Sequence, residues 1–202
     1  MLAQGARVFI SSRKAQACEK TARELSAIGP CTPLAQDVST VEGARALASA
    51  EAQHADSLDI LVNNAGAFDG GPVETLSLSA WNNVVGACLT GAFLCTREAF
   101  AVMKSKRHGR ILNIGSISAQ RPRLNSAAYT AAKFGVQGLT QATALEGRQW
   151  GICVSCLHPG NVFVERRENS GLKSDEEPMM PVDSIVRAAM TMLTMPDHVN
   201  FH

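Results

Sequence analysis

The chain is 202 residues long, 46% hydrophobic, and carries a formal net charge of +1. That length suits one domain with a full core. The near-neutral balance excludes the basic footprint of a nucleic-acid binder and an acidic tail, and no apolar run is expected to reach the length of a membrane span. The opening MLAQGARVFI has no apolar stretch of the secretory type, so the cytoplasm is the expected compartment. Cys18, Cys31, Cys88, Cys95, Cys153 and Cys156 are scattered through apolar segments, the pattern of reduced core thiols rather than of a disulfide framework. Cys153 and Cys156 form a Cys-x-x-Cys. Inside an expected strand, however, positions three apart face opposite sides, and no second pair exists, so a structural role is expected and no metal.

In chain order, Arg7–Ser12 reads as a strand. Arg13–Ile28 carries a helical stripe of Ala17, Cys18, Ala22, Leu25 and Ile28 and ends at Gly29-Pro30. Thr32–Val38 is the next expected strand, closed by Asp37. Ser39-Thr40-Val41-Glu42 reads as a capping box that opens a helix to about His54. Leu58–Asn63 is a dense apolar run and a buried strand, from which Asn64-Ala65-Gly66 turns into a Gly/Pro-rich loop. A long helix is expected over Ser79–Lys104, where Gly86 and Gly91 would allow close packing against another helix or subunit. Arg110–Ile114 reads as a strand running into Gly115-Ser116. An Ala-rich helix follows from about Ser126 to Gln149, and then a strand over Gly151–Leu157, stopped by His158-Pro159-Gly160. Glu165–Pro181 is polar and irregular, Ser184–Met195 is helical, and His198–His202 looks like a strand cut short. Strands that are apolar nearly end to end, alternating with helices, predict an α/β protein whose parallel sheet is covered on both faces.

Tyr129 and Lys133 lie four apart on the Ala-rich helix, so both side chains share one face. An ammonium beside a phenol favours phenolate and lowers the Tyr pKa toward working pH, as a general acid or base requires. Ser116, at the end of the preceding strand, can offer a hydroxyl to the same space. Alone, such a pair is more often a pair of surface neighbours. Here Tyr129 is the only tyrosine in the chain, and small residues around it suit a wall that a flat ligand can approach.

Four motifs then stand in one order: Asn63-Asn64-Ala65-Gly66, Ser116, Tyr129 with Lys133, and Pro159-Gly160-Asn161-Val162. On these the chain resembles the short-chain dehydrogenase/reductases, a family with a Rossmann-type doubly wound parallel sheet that moves hydride between a nicotinamide cofactor and a carbonyl or alcohol. The resemblance implies that Tyr129 protonates the substrate oxygen and Ser116 holds it. It implies that Lys133 binds the nicotinamide ribose, and that the backbone at Val162 meets the carboxamide. Asp37 and Val38 match the pair that holds the adenine, and Asn64 matches a residue beside the adenine ribose. The plainer alternatives are a turn residue before the Ser39 cap for Asp37 and an ordinary turn Asn for Asn64. NAD-selective Rossmann sites carry an acidic residue after the second strand. Here that strand ends Ser11-Ser12-Arg13-Lys14, and Arg13 offers a fork of donors to a 2′-phosphate, so NADP(H) is the expected cofactor. The alternative is a solvated Arg at a helix start, where a cation gains nothing from the dipole. By the same resemblance the partners are a small-molecule carbonyl or alcohol and further copies in a homodimer or homotetramer, with no nucleic acid and no membrane.

Three departures qualify this expectation. The Gly-rich TGxxxGxG turn of the family, the strand before it and most of the helix after it have no counterpart, so residues 1–202 read as a single, incomplete dinucleotide-binding domain. In the Rossmann order that first strand is central, and its neighbours would be left with unpaired backbone unless they close together or recruit another segment. Cys88 stands where relatives carry an Asn that holds a water in the proton relay, and Cys is a poor substitute as donor and acceptor. The last expected strand is shortened. The leading reading is an NADP(H)-dependent reductase or dehydrogenase of ketones and secondary alcohols. The competing one is a catalytically impaired relative that acts as a binding or oligomerising module. A sugar-nucleotide epimerase is a distant third, for want of room for a second domain.

Overall fold

The computed structural model describes residues 1–54, 57–163, 178–197 and 199–201. Among the described residues, five strands fall in two parallel sheets. β1 (Val8–Ser11) pairs with β2 (Cys31–Leu34), and β4 (Gly109–Ile114) lies between β3 (Ile60–Asn63) and β5 (Ile152–Leu157). Helices α1 (Ala15–Leu25), α2 (Val41–His54), α3 (Leu78–Val85), α4 (Gly91–Lys106), α5 (Ala127–Gly147) and α6 (Val182–Leu193) connect and cover them. A strand followed by a helix and a second strand returns parallel, and strands covered on both faces need mostly apolar residues, with any buried polar side chain hydrogen-bonded. β4 and β5 meet that demand, with Ile111, Leu112, Ile152 and Val154 at most 1% exposed. Ala99, Met103 and Ala144 from α4 and α5 complete that core.

β2 tolerates Pro33 because of its place at an edge. Val8 N–H donates to Pro30 and the register pairs Ile10 with Pro33, so the nitrogen of Pro33 faces away from β1, where no donor is required. The start of α2 departs from the expected capping box. Asp37 accepts both the N–H and the hydroxyl of Ser39, at 2.9 and 2.6 Å, which withdraws Ser39 from capping. Thr40 takes the role instead, its Oγ1 accepting Gly43 N–H at 3.0 Å.

The long central helix is one continuous rod. α3 is capped by Ser77, a π-helical turn spans Gly86–Thr90, and α4 ends at Arg107 in the left-handed region. Leu78–Lys106 is 29 residues long and holds an 18-residue window of mean hydropathy 1.3, so by length and composition it could cross a membrane, which corrects the expectation that no segment reaches that length. In this fold it is the core helix: Leu94 and Cys95 pack with Ala44 of α2, and Ala99 and Met103 pack against β4 and β5. Gly91 serves a contact within the chain, since a Cβ there would stand 2.9 Å from Cγ2 of Val38.

A polar thread crosses the apolar sheet. Register sets Asn63 beside Asn113, and Asn63 Nδ2 donates to Asn113 Oδ1 at 2.8 Å and to Thr96 Oγ1 at 3.0 Å. Asn113 Nδ2 donates to Thr140 Oγ1 at 2.8 Å, so β3, β4, α4 and α5 are tied at one level. At the opposite end of β4, buried Arg110 donates to the carbonyls of Met192, Met195, Pro196 and Val199 and anchors the chain after α6. The strand expected near the end does not form among the described residues. Phe201 nevertheless accepts Cys156 N–H at 3.0 Å, so this segment covers the outer edge of β5.

β1 and β3 do not close on each other. Between them lies a cleft of about 1160 Å³, lined by Val8–Ser11 on one side and Ile60–Asn63 on the other. The α/β Rossmann-like architecture is therefore present with its two parallel groups of strands held apart.

Candidate functional site

The sequence-selected residues gather where the strands end. β3 stops at Asn63, one residue short of pairing with Ile114, so the Ile114 carbonyl faces a position that β3 does not fill. Lys133 fills it from α5, its ammonium donating to Ile114 O at 2.7 Å. Lys133 is 6% exposed, and burial pushes its ammonium below the usual lysine range, opposed by the nearby thiols of Cys88 and Cys156. One turn back, the Tyr129 ring centre lies 5.6 Å from Lys133 Nζ. Phe68 meets the same ring edge-on, with centroids 5.5 Å apart. The loop carrying Phe68 is held over the start of α5 by Gly71 N–H, which donates to Asn125 O at 3.1 Å.

Ser116 lies two residues beyond Ile114. Its Oγ accepts Ser118 N–H at 3.1 Å and so caps the short 3₁₀ turn Ile117–Ala119, which packs against α5. His158, from the end of β5, grips the backbone of Ser116. Its Nδ1 lies 3.3 Å from Ser116 N and 2.9 Å from Ser116 O, while Nε2 meets Gln137 Oε1 of α5. Gly115 makes room for the ring, since a Cβ there would stand 2.6 Å from His158 Nδ1 and 2.8 Å from Cys156 Sγ. Ser116, Tyr129 and Lys133 are thus gathered at the C-terminal ends of β3–β5, the end at which open α/β sheets bind ligands.

Cys88 occupies the π-helical turn, and its thiol both accepts Ala67 N–H and donates to Ala67 O, each at 3.4 Å. It pins the loop that follows Asn63-Asn64-Ala65-Gly66, a use the comparison with a relay Asn did not anticipate. Cys153 and Cys156 point apart. The first donates to the Asp197 carbonyl, and the second lies beside Thr140 and Lys133.

The expected cofactor residues form a second group, around the end of β1. Arg13 is exposed and close enough to Asp37 for its charge to act there. Hydrogen bonds from Ser39, then Arg13, hold the Asp37 carboxyl below the usual range. The Ser39 bonds fit the turn role weighed for Asp37. Val38 and Asn64 both line the cleft between β1 and β3. Val162 forms a parallel bridge with Met180 in which Met180 N donates to Asn161 O and Phe163 N to Met180 O. Val162's own N–H and C=O are therefore turned to the opposite side. The loop expected over Glu165–Pro181 lies mostly outside the described residues.

Asn113, Gln137, His158 and Phe68 were not singled out in the sequence. The signal for Asn113 was there: one amide inside the apolar run Arg110–Ile114. His158 stood directly before the Pro159-Gly160 pair.

Comparison with known proteins matches this geometry to relatives. A family model described as short chain dehydrogenase matches residues 1–175. The uncharacterised oxidoreductase YxjF of Bacillus subtilis (strain 168) is 33% identical over 184 residues, covering 91% of this chain and 72% of that protein. The rhamnolipids biosynthesis 3-oxoacyl-[acyl-carrier-protein] reductase of Pseudomonas aeruginosa is 36% identical over 165 residues, covering 79% of this chain and 64% of that reductase. Among solved structures, a metagenomic short-chain oxidoreductase (SDR) in complex with NADP superimposes with a TM-score of 0.83 at 29% identity, over 98% of this chain and 84% of that one. With a family model over most of its length and relatives at this level of identity, this chain belongs to the short chain dehydrogenase family.

Proposed function

We propose that residues 1–202 act as one dinucleotide-binding domain that moves hydride between NADP(H) and a ketone or secondary alcohol, as a homodimer or homotetramer in the cytoplasm. The observation that carries this reading is the Lys133–Tyr129 pair on one turn of α5, with the ammonium fixed on Ile114 O and Ser116 on the adjoining strand end. The residues fit the nicotinamide end of such a cofactor: the Val162 backbone is turned outward from its bridge, and Lys133 is a buried donor. Arg13 would face the 2′-phosphate. When bound, the cofactor supplies hydride to the carbonyl carbon. Tyr129 gives its hydroxyl proton to the carbonyl oxygen as that hydride arrives, so ketone becomes alcohol, and Lys133 stabilises the phenolate left behind. The Ser116 hydroxyl holds the substrate oxygen in line. Exposed Phe93 on α4 and Phe134 and Leu145 on α5 support pairing of copies through these helices.

The experiment is NADPH and NADH binding followed by nucleotide fluorescence, with turnover of a 3-oxoacyl thioester read at the same time. Arg13→Ala is expected to weaken NADPH at least tenfold more than NADH. Tyr129→Phe should abolish turnover while leaving binding within about twofold. A wild-type chain that binds neither nucleotide would favour the second reading, a catalytically silent binding module, which the separation of β1 from β3 supports.

A further inference from the structure

One face of α5 carries three polar residues a turn apart, Tyr129, Lys133 and Gln137. The first two act on the reacting groups in the proposed reaction, and the third meets His158. Gln137 Oε1 lies against Nε2 of His158, and Nδ1 of the same ring lies 2.9 Å from Ser116 O. The ring therefore spans from the helix of Tyr129 to the strand end of Ser116. A carbonyl only accepts, so Nδ1 carries the proton and donates it to Ser116 O. Gln137 can present its amide oxygen or, after a half-turn, its amide N–H, so it can meet Nε2 whether that nitrogen donates or accepts.

What the ring holds is the backbone from which the Ser116 hydroxyl projects. Ser116 is extended, with φ −168° and ψ 153°. That conformation turns its N–H and C=O to the same side, and one ring nitrogen meets both. On either side of it, Gly115 N–H donates to Leu157 O at 2.7 Å and Ile117 N–H to Pro159 O at 2.9 Å. The main chain at the end of β5 thus fixes the neighbours of Ser116, and the His158 side chain fixes Ser116 itself. Ser116 Oγ accepts Ser118 N–H at 3.1 Å, which leaves the hydroxyl hydrogen to be donated outward. Its direction follows from how residues 116–118 are held. With Ser116 only 8% exposed, little water is at hand to replace a lost anchor.

We propose that His158 and Gln137 are positioning residues that set the Ser116 hydroxyl relative to Tyr129 and Lys133, so that loss of either lowers turnover through Ser116 and leaves cofactor binding alone. The inference rests on the proposed role of Ser116 in holding the substrate oxygen. The test pairs His158→Asn with His158→Leu, which share one shape and leave the same gap beside Gly115. Asn keeps an amide N–H at the place of Nδ1, and Leu does not. Reduction of a 3-oxoacyl thioester by NADPH gives kcat and KM, and nucleotide fluorescence gives NADPH affinity. Amide exchange at Ser118 reports its bond to Ser116 Oγ without turnover. A displacement of about 1 Å at a reacting group can cost roughly a hundredfold in rate. His158→Leu is therefore expected to lower kcat at least tenfold below His158→Asn, with NADPH affinity within about twofold and Ser118 exchange at least tenfold faster. Gln137→Leu should move kcat and Ser118 exchange the same way, by about threefold. Added to Ser116→Ala, His158→Leu should change kcat by less than about twofold, because the group it positions is gone. A residue that merely supported the fold would keep its full effect there. Equal kcat in the Asn and Leu variants, equal Ser118 exchange, or additivity with Ser116→Ala would each overturn the proposal. A wild-type chain without turnover, or Ser116→Ala as active as wild type, would sink the catalytic reading instead. Ser118 exchange then decides alone, a tenfold difference upholding the His158–Ser116 anchor and equal rates removing it.

Discussion

Replacing Asn113 by Leu tests whether the polar thread, rather than the apolar core alone, holds the site's strand ends in register. Asn113 is 0% exposed and makes two side-chain hydrogen bonds, accepting from Asn63 Nδ2 and donating to Thr140 Oγ1, each at 2.8 Å. Leu matches its size, so little cavity forms. Thr140 keeps its donation to Val136 O at 2.7 Å and loses little. Half-buried Asn63 loses its shortest acceptor and keeps Thr96 Oγ1 at 3.0 Å and Ala92 O at 3.5 Å, and breaking this bond at the buried Asn113 end costs about 1–3 kcal/mol. For a chain of this length each kcal/mol lowers Tm by roughly 2–4 °C, so a fall of about 2–12 °C is expected by thermal unfolding followed by circular dichroism. The sharper test is the cycle with Asn63→Leu, because removing both partners strands neither. The double variant should be less destabilised than the sum of the singles by roughly 0.5–3 kcal/mol in urea unfolding. A Tm unchanged in Asn113→Leu, or strict additivity in the cycle, would refute the reasoning and make the amide pair an incidental contact.

Gly115→Ala should lower Tm by about 2–12 °C through overpacking of roughly 1–3 kcal/mol, since the new Cβ would stand 2.6 Å from His158 Nδ1. Adding His158→Ala should recover part of that loss, and no recovery would mean that the crowding lies elsewhere. Lys133→Met tests the buried ammonium through its pH dependence. Because burial lowers the folded-state pKa of Lys133 below 10.5, the unfolded chain binds more protons between the folded value and 10.5, and wild-type stability gains from rising pH across that window. Urea unfolding at stepped alkaline pH should therefore show wild type gaining on Lys133→Met as pH approaches 10.5. A constant or narrowing difference in wild type's favour would contradict the assigned burial.

What could be read in the sequence follows from what a ladder contains, and what could not follows from where a ladder stops. β4 and β5 were legible as Arg110–Ile114 and Gly151–Leu157 because a strand covered on both faces is predominantly apolar, and composition records that directly. The α5 face carrying Tyr129 and Lys133 was legible from four-residue spacing. Spacing could not say what that face meets. Ile114 O is open to Lys133 only because β3 ends at Asn63, and the end of one strand is set by its register with another 50 residues away in sequence. The expected strand Thr32–Val38 shrank to Cys31–Leu34 for a related reason: its neighbour β1 has only four residues to pair with. Even the local capping rule failed where a competitor stood nearby, Asp37 drawing Ser39 away and leaving Thr40 to cap α2. Cys88 shows the same limit in chemical terms. As a residue type it reads as a weak stand-in for an amide, yet one thiol satisfies both backbone groups of Ala67, because the π-helical turn presents it to that loop. The polar atoms around Tyr129 are thus placed by interruptions of regular structure: a short strand, a widened helical turn and a glycine that admits a ring. Each interruption depends on a partner that one-dimensional periodicity does not encode.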